Sequence, residues 1–160
     1  MQAENKNLSY YKKKVIPSGK NLRIGIVVSE WNHNITENLF TGAYKTLLDL
    51  EVEKHNIERI NVPGSFELIY GAKIISKRKL DAIICLGSII KGETKHFDFI
   101  SNAIANGIQE LNIKLNIPVI FGVLTDNSFE QAVERSGGKY GNKGIESAVT
   151  SIKMASLNKQ

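Results

Sequence analysis

The sequence predicts a single three-layer α/β domain, with a four-stranded parallel sheet covered by helices on both faces. Segments of β-branched, strand-like character alternate along the chain with segments whose apolar residues recur every three or four positions. The runs Asp81 to Ile90 and Pro118 to Leu124 are almost continuously apolar, as strands buried on both faces of a parallel sheet are. The residues a core does not need (glycines, hydroxyls, aromatics and charges) gather just after the strands, where open parallel sheets bind ligands.

The elements follow in order. Residues 1–21 are polar and punctuated by Pro17-Ser18-Gly19, and read as an arm before a domain of residues 22–157, with 158–160 as a tail. Leu22 to Val28 is a β-branched strand. From Asn34 to Leu50, the residues Ile35, Leu39, Ala43, Leu47 and Leu50 keep helical spacing. Ile57 to Val62 is a short strand ended by Pro63-Gly64, and Phe66 to Ile75 a second helix. After the strand Asp81–Ile90, a third helix spans Phe97 to Leu115 with Ile100, Ile104, Ile108 and Leu111 on one stripe. Pro118 to Leu124 is the fourth strand. Ser128 and Gln131 resemble a capping box that opens a short helix to Arg135. The run Gly137 to Gly144 reads as a linker into a last helix ending near Leu157. The alternation implies right-handed crossovers.

Composition narrows the function classes. With 160 residues, 42% hydrophobic and 23% charged, the chain is that of an ordinary globular domain. No apolar stretch has membrane-spanning length, and the first residues carry no hydrophobic signal core. The single cysteine, Cys85, lies inside an apolar run and reads as a buried structural thiol. A reducing cytoplasm fits these features. The net charge of +5 invites a nucleic-acid partner. Its basic triplets, however, lie in the polar arm (Lys12-Lys13-Lys14) and at a helix end (Lys77-Arg78-Lys79), so neither nucleic acid nor membrane is expected as a partner. No pair of histidines has metal-ligand spacing.

The richest segment is Leu86 to Asp98, where glycines, hydroxyls and Lys91 lie between a buried strand and a helix start. The helix N-terminus is a ready anion site, with Gly92 allowing close backbone approach and Thr94 donating its hydroxyl. The residues equally allow a plain capped turn. His96 sits in the first helical turn, where the dipole disfavours a second positive charge and keeps the imidazole suited to proton exchange near neutral pH. A surface or capping histidine is the competing reading. Pro63 to Glu67 makes a tight turn whose N–H groups, with Ser65 and Glu67, suit a heterocycle's donors and acceptors, or simply cap a helix. Trp31 follows a strand directly and is placed to stack on a flat ring or to lid the core. Arg135 offers a rigid fork of donors for a phosphate, in a position the helix dipole also favours.

These segments resemble lumazine synthases from about Leu22 to Leu157. The resemblance rests on Ile24 to Val28 with Trp31-Asn32, Val62 to Leu68, Leu86 to Asp98, Phe121 to Thr125, Glu130 to Gly137 and Gly141 to Gly144, together and in order. It implies a flavodoxin-like fold. The implied reaction condenses 5-amino-6-(D-ribitylamino)uracil with 3,4-dihydroxy-2-butanone 4-phosphate to 6,7-dimethyl-8-ribityllumazine, phosphate and water, without cofactor or metal. On that resemblance, His96 moves protons and Trp31 stacks on the pyrimidine. Ser65, Phe66 and Glu67 hold the ribityl chain and ring edge. Ser88, Ile89 and Ile90 line the same pocket through backbone groups. Glu93 and Thr94, with the catalytic Arg135, hold the phosphate. Phe121 closes the ring site from a neighbouring subunit, and Lys143 reaches the uracil carbonyl. Lys91 and Ser65 depart mildly from the common pattern, where arginine and alanine are frequent. The resemblance further implies a homopentamer, a 60-subunit shell in some members, and riboflavin synthase as an enclosed partner. An arm adding an edge strand to a neighbour's sheet fits such an assembly. The rival activities are a riboflavin synthase of the same fold, and a non-catalytic flavin-binding shell.

Overall fold

The computed structural model describes residues 7–160. Parallel strands β1 (Ile24–Ser29), β2 (Ile57–Val62), β3 (Ala82–Ile90) and β4 (Val119–Asp126) form one sheet in the order β2-β1-β3-β4. Between them run α1 (His33–Asp49), α2 (Leu68–Ile75) and α3 (His96–Lys114). After β4 come α4 (Phe129–Arg135), the two short strands β5 (Ser136–Gly138) and β6 (Gly141–Asn142), and α5 (Lys143–Asn158).

The sheet separates two apolar cores, as the alternation of side chains across a strand requires. Ile24, Ile26 and Val28 of β1 face α1 and α5, meeting Leu39, Leu47 and Ile152. Val27 faces the other way, joining Leu68, Ile75 and Ile104 of α2 and α3. β1 and β3 are the inner strands, and every residue of β1 is buried. Cys85 lies in the second core, and burial pushes its thiol up to about 12, so it is an inert packing residue. No described helix is long and apolar enough to cross a membrane.

Three features differ from the sequence reading. The second helix does not begin at Phe66. Ser65–Glu67 form a 3-10 turn first, because the Glu67 carboxylate folds back to accept the Gly64 N–H at 2.9 Å. β4 runs on to Asp126, two residues past the expected end at Leu124, and Phe121 lies in it opposite Cys85 of β3. The expected Gly-rich linker is a small antiparallel hairpin, β5–β6, turned by Gly137 (φ 123°) and Gly141 (φ 92°). Positive φ is cheap only for glycine, and strands this short carry no period to read. The arm from Leu8 to residue 21 lies against its own domain. The Leu8 N–H donates to the Tyr140 carbonyl, the Tyr11 hydroxyl to Asp49 at 2.7 Å, and the Gly19 N–H to the Leu50 carbonyl at 2.8 Å. Its one regular element is the 3-10 turn Lys13–Val15, and none of residues 7–21 is in a strand.

Candidate active site

The carboxyl ends of β1, β2 and β3 open into a cavity of about 500 Å³, walled by Trp31, Asn32, Gly64 to Glu67, Ser88 to Ile90, His96 and Ile100. Its frame is backbone. The Glu30 N–H donates to the Val62 carbonyl at 2.8 Å and the Trp31 N–H to Pro63 at 3.0 Å, so the exits of β1 and β2 are locked together. Asn32 then adopts the left-handed conformation (φ 58°, ψ 48°), which asparagine tolerates better than most residues. Its Nδ2 donates to the Ser88 carbonyl at 2.9 Å, tying β1 to β3 across the cavity floor. The Trp31 indole thus projects from a fixed backbone while staying 72% exposed, and Phe66 on the facing turn is 57% exposed. Large aromatic faces left in solvent beside a cavity are surfaces for a flat ligand or a second chain.

The polar walls are unevenly committed. Glu67 spends one oxygen on Gly64. Ser65 Oγ and Ser88 Oγ are buried without a hydrogen-bond partner among the described residues. Gly87 gives Ser65 its room, since a Cβ there would lie 2.6 Å from Ser65 Oγ. His96 opens α3 with its side chain exposed and its N–H donating to Thr94 Oγ1 at 3.3 Å. Residues Lys91–Lys95 form an exposed loop before it, anchored where the Lys91 N–H donates to the Asp126 carbonyl at 2.8 Å. Glu93 and Thr94 lie in that loop at the helix N-terminus, outside the cavity wall.

The remaining candidates sit elsewhere. Phe121 and Lys143 line a separate cavity of about 370 Å³ between β4 and α5, together with Glu146. Glu146 links them to Arg135: Arg135 Nη1 stands 2.9 Å from Glu146 Oε1, and Lys143 Nζ 3.5 Å from Oε2. Arg135 Nη1 also donates to the Tyr140 carbonyl at 2.8 Å. Asp126 ends β4 with a buried, unpartnered Oδ2. Burial raises its carboxyl above the usual range, against the pull of Arg135. Apart from Glu93 and Thr94 in the loop before α3, the expected residues therefore form two groups in one chain. Trp31, Ser65, Phe66, Glu67, Ser88, Ile89, Ile90 and His96 share one cavity, while Phe121, Arg135 and Lys143 gather near β4 and α5.

Sequence reasoning assigned no role to Asn32, Ile100, Asp126 or Glu146. Asn32 could have been singled out by its place after a strand, where a left-handed residue turns the chain. Glu146 sits three residues after Lys143 on α5, a local spacing, but its partner Arg135 is brought to it only by the β5–β6 hairpin. Among the described residues, no three His, Cys, Asp or Glu side chains group as metal ligands.

Comparison with known proteins gives this geometry its context. The sequence model described as 6,7-dimethyl-8-ribityllumazine synthase matches residues 21–159. The chain is 55% identical over 161 residues to the protein of that name from Flavobacterium johnsoniae, covering 100% of this chain and 85% of the relative. It is 56% identical to the one from Christiangramia forsetii, covering 99% of this chain and 96% of the relative. It is also 51% identical to that from Porphyromonas gingivalis, with 96% of each chain covered. A match over nearly the whole domain, on a parallel sheet of order β2-β1-β3-β4, shows that this chain belongs to the 6,7-dimethyl-8-ribityllumazine synthase family.

Proposed function

We propose that the protein condenses 5-amino-6-(D-ribitylamino)uracil with 3,4-dihydroxy-2-butanone 4-phosphate, giving 6,7-dimethyl-8-ribityllumazine, inorganic phosphate and water, the penultimate step of riboflavin biosynthesis. The observation that carries the reading is the single cavity joining an exposed Trp31, the Ser65–Glu67 turn, the Ser88–Ile90 edge and His96, in a chain of this family. Trp31 offers a face to the flat pyrimidine. Ser65, Phe66 and Glu67 hold the ribityl chain and ring edge, with Ser88, Ile89 and Ile90 beneath. Ser65 Oγ and Ser88 Oγ, buried and unpartnered, suit a ligand rich in hydroxyls.

The chemistry needs three things. An amine attacks a ketone and loses water to an imine, phosphate leaves, and the second amine closes the ring with loss of a second water; each step moves a proton. His96 serves that transfer. Phosphate departure needs positive charge, which Arg135 and the N-terminus of α3 beside Glu93 and Thr94 supply. The rest is holding two substrates side by side. None of this requires a covalent nucleophile, a cofactor or a metal.

Because Phe121, Arg135 and Lys143 stand apart from the Trp31 cavity, the complete site combines two copies: one gives Trp31 and His96, its neighbour Phe121, Lys143 and Arg135. A face that gives and a face that receives generate a closed ring, here a homopentamer, and pentamers assemble into a 60-subunit shell able to enclose riboflavin synthase. The arm before Leu22 would add an edge strand to a neighbour's sheet; its residues 1–6 lie outside the described ones. The enzyme works in the cytoplasm on small-molecule substrates. Turnover with both substrates, compared with lumazine alone, tests the reading. Riboflavin formed from lumazine alone would mean the dismutating enzyme of the same fold, and no turnover in either arm would mean a flavin-binding shell.

A further inference from the structure

The polar arm before the domain has no part in the activity proposed above, yet its first described residues are wedged against the turn that carries Arg135. Ser9 is buried at 8% exposure. Its Oγ donates to the Asn142 carbonyl at 3.0 Å and accepts the Asn142 N–H. Gly141, with φ 92° and no Cβ, leaves the space that the side chains of Asn7 and Ser9 occupy. One residue earlier, the Leu8 N–H donates to the Tyr140 carbonyl at 3.3 Å. That same carbonyl accepts Arg135 Nη1 at 2.8 Å. The arm and the arginine therefore share one acceptor, from opposite ends of the chain.

Asn142 carries the contact inward. Its Nδ2 donates to the Asn38 carbonyl at 2.9 Å and the Ser136 carbonyl at 3.3 Å, and its Oδ1 accepts the Gly144 N–H at 2.8 Å, capping α5, which starts at Lys143. Three of the residues from Gly137 to Gly141 are glycines, and the turn is held from α4 by the Tyr140 N–H donating to the Glu134 carbonyl at 3.0 Å, so the arm is a second brace on a segment of wide conformational choice. Arg135 uses Nη1 on Tyr140 and Glu146, and its other donors have no partner among the described residues. A planar fork grips an anion well only if its plane is fixed, and here the fixing groups are the Glu146 carboxylate and the Tyr140 carbonyl, of which only the second meets the arm.

We infer that Ser9 is a positioning residue for the anion site: by bracing the Tyr140–Asn142 segment it orients the Arg135 guanidinium toward the phosphate of the substrate. The inference rests on Arg135 being the phosphate-binding residue, and the test separates the two.

The experiment uses the full chain with Ser9→Ala, Ser9→Thr, Leu8→Pro and Arg135→Ala. KM is measured for each substrate, and inorganic phosphate is titrated as the probe. Ser9→Ala should raise the butanone-phosphate KM and the phosphate Kd about three- to tenfold, the usual effect of one lost hydrogen bond. The aminouracil KM should stay within about twofold of the parent, because Trp31 and the Ser65–Glu67 turn are untouched. Ser9→Thr, which keeps the hydroxyl, should restore most of the loss. Leu8→Pro, which removes the N–H aimed at Tyr140, should reproduce it. Normal phosphate handling in Ser9→Ala and Leu8→Pro, beside a large defect in Arg135→Ala, would overturn the positioning role alone. Equal rises for both substrates would reduce Ser9 to general stability and overturn it too. An Arg135→Ala protein that binds phosphate normally would instead remove the reading beneath it.

Discussion

At the first turn of α3, His96 shares a cavity wall with Trp31 and Glu67, and its side chain has no hydrogen-bond partner among the described residues. An unengaged imidazole on the wall of this cavity is placed for the proton transfers of the proposed reaction. His96→Asn should slow turnover roughly 10²–10⁴-fold while leaving substrate binding intact, the range of a general acid–base group. Turnover and equilibrium binding measured together decide it, and an unchanged rate removes His96 from the mechanism. Trp31 tests a different contribution. Its ring is held only through its backbone, so Trp31→Ala leaves the Asn32–Ser88 bond and the β1 exit in place. Affinity for the aminouracil should fall by about tenfold, as for loss of one aromatic face, while the butanone phosphate is little affected. Equal losses for both would make Trp31 a lid instead.

Among the elements, the junction of α1 and α5 is the tightest. Gly144 abuts the Leu39 carbonyl of α1, and a Cβ there would press on backbone that has nowhere to go. Gly144→Ala should therefore cost about 1–3 kcal/mol despite its better helix propensity, read as a lowered midpoint in denaturant. A neutral or stabilising result would mean that the helices part freely. α1 is also tied to β2, where Arg59 lies 4.2 Å over the Phe40 ring and its guanidinium grips the Glu37 carboxylate. That hydrogen bond holds the Glu37 carboxyl below its ordinary value of 4.5, so the folded state binds this proton less readily than the unfolded chain. The stabilisation is thus full above the unfolded value and fades as pH falls through the depressed folded one. Arg59→Met, which keeps an apolar side chain against the Phe40 ring but loses the charge, should cost about 1 kcal/mol or less at neutral pH, and the part due to the Glu37 pair should disappear toward strong acid. Unfolding curves showing the same gap at both pH values would contradict the pairing. Most of these elements were legible beforehand. The strands showed as β-branched runs and the helices as three-to-four spacing. The Ser128 cap was also legible, with its Oγ accepting the Gln131 N–H at 3.3 Å. The β5–β6 hairpin was not, because its glycines are read locally as a flexible break while its pairing is set by Asn142 and Ser9.

For the whole molecule, two half-sites in one chain predict an assembly. Phe66, Tyr70, Phe99 and Ile113 are all more than half exposed, more large apolar surface than helices facing only water need. Sedimentation or light scattering at neutral pH should give a mass of about five chains or of the 60-subunit shell. A mass near one chain excludes both, and a stable mass near five excludes only the shell. The amino-acid sequence by itself determined the fold class and the order of the four main strands and the helices, because periodicity is a local property of the chain. It also carried the family, since the motifs Pro63 to Glu67 and Gly87 to His96 stand in a recognisable order. Only the tertiary structure decided which of those residues meet. The parallel order β2-β1-β3-β4 sets Trp31 beside His96, while Phe121 falls in mid-strand beyond their reach. The shared Tyr140 carbonyl joins residues from the two ends of the chain. Such meetings depend on long-range closure of the chain, and no local pattern encodes them.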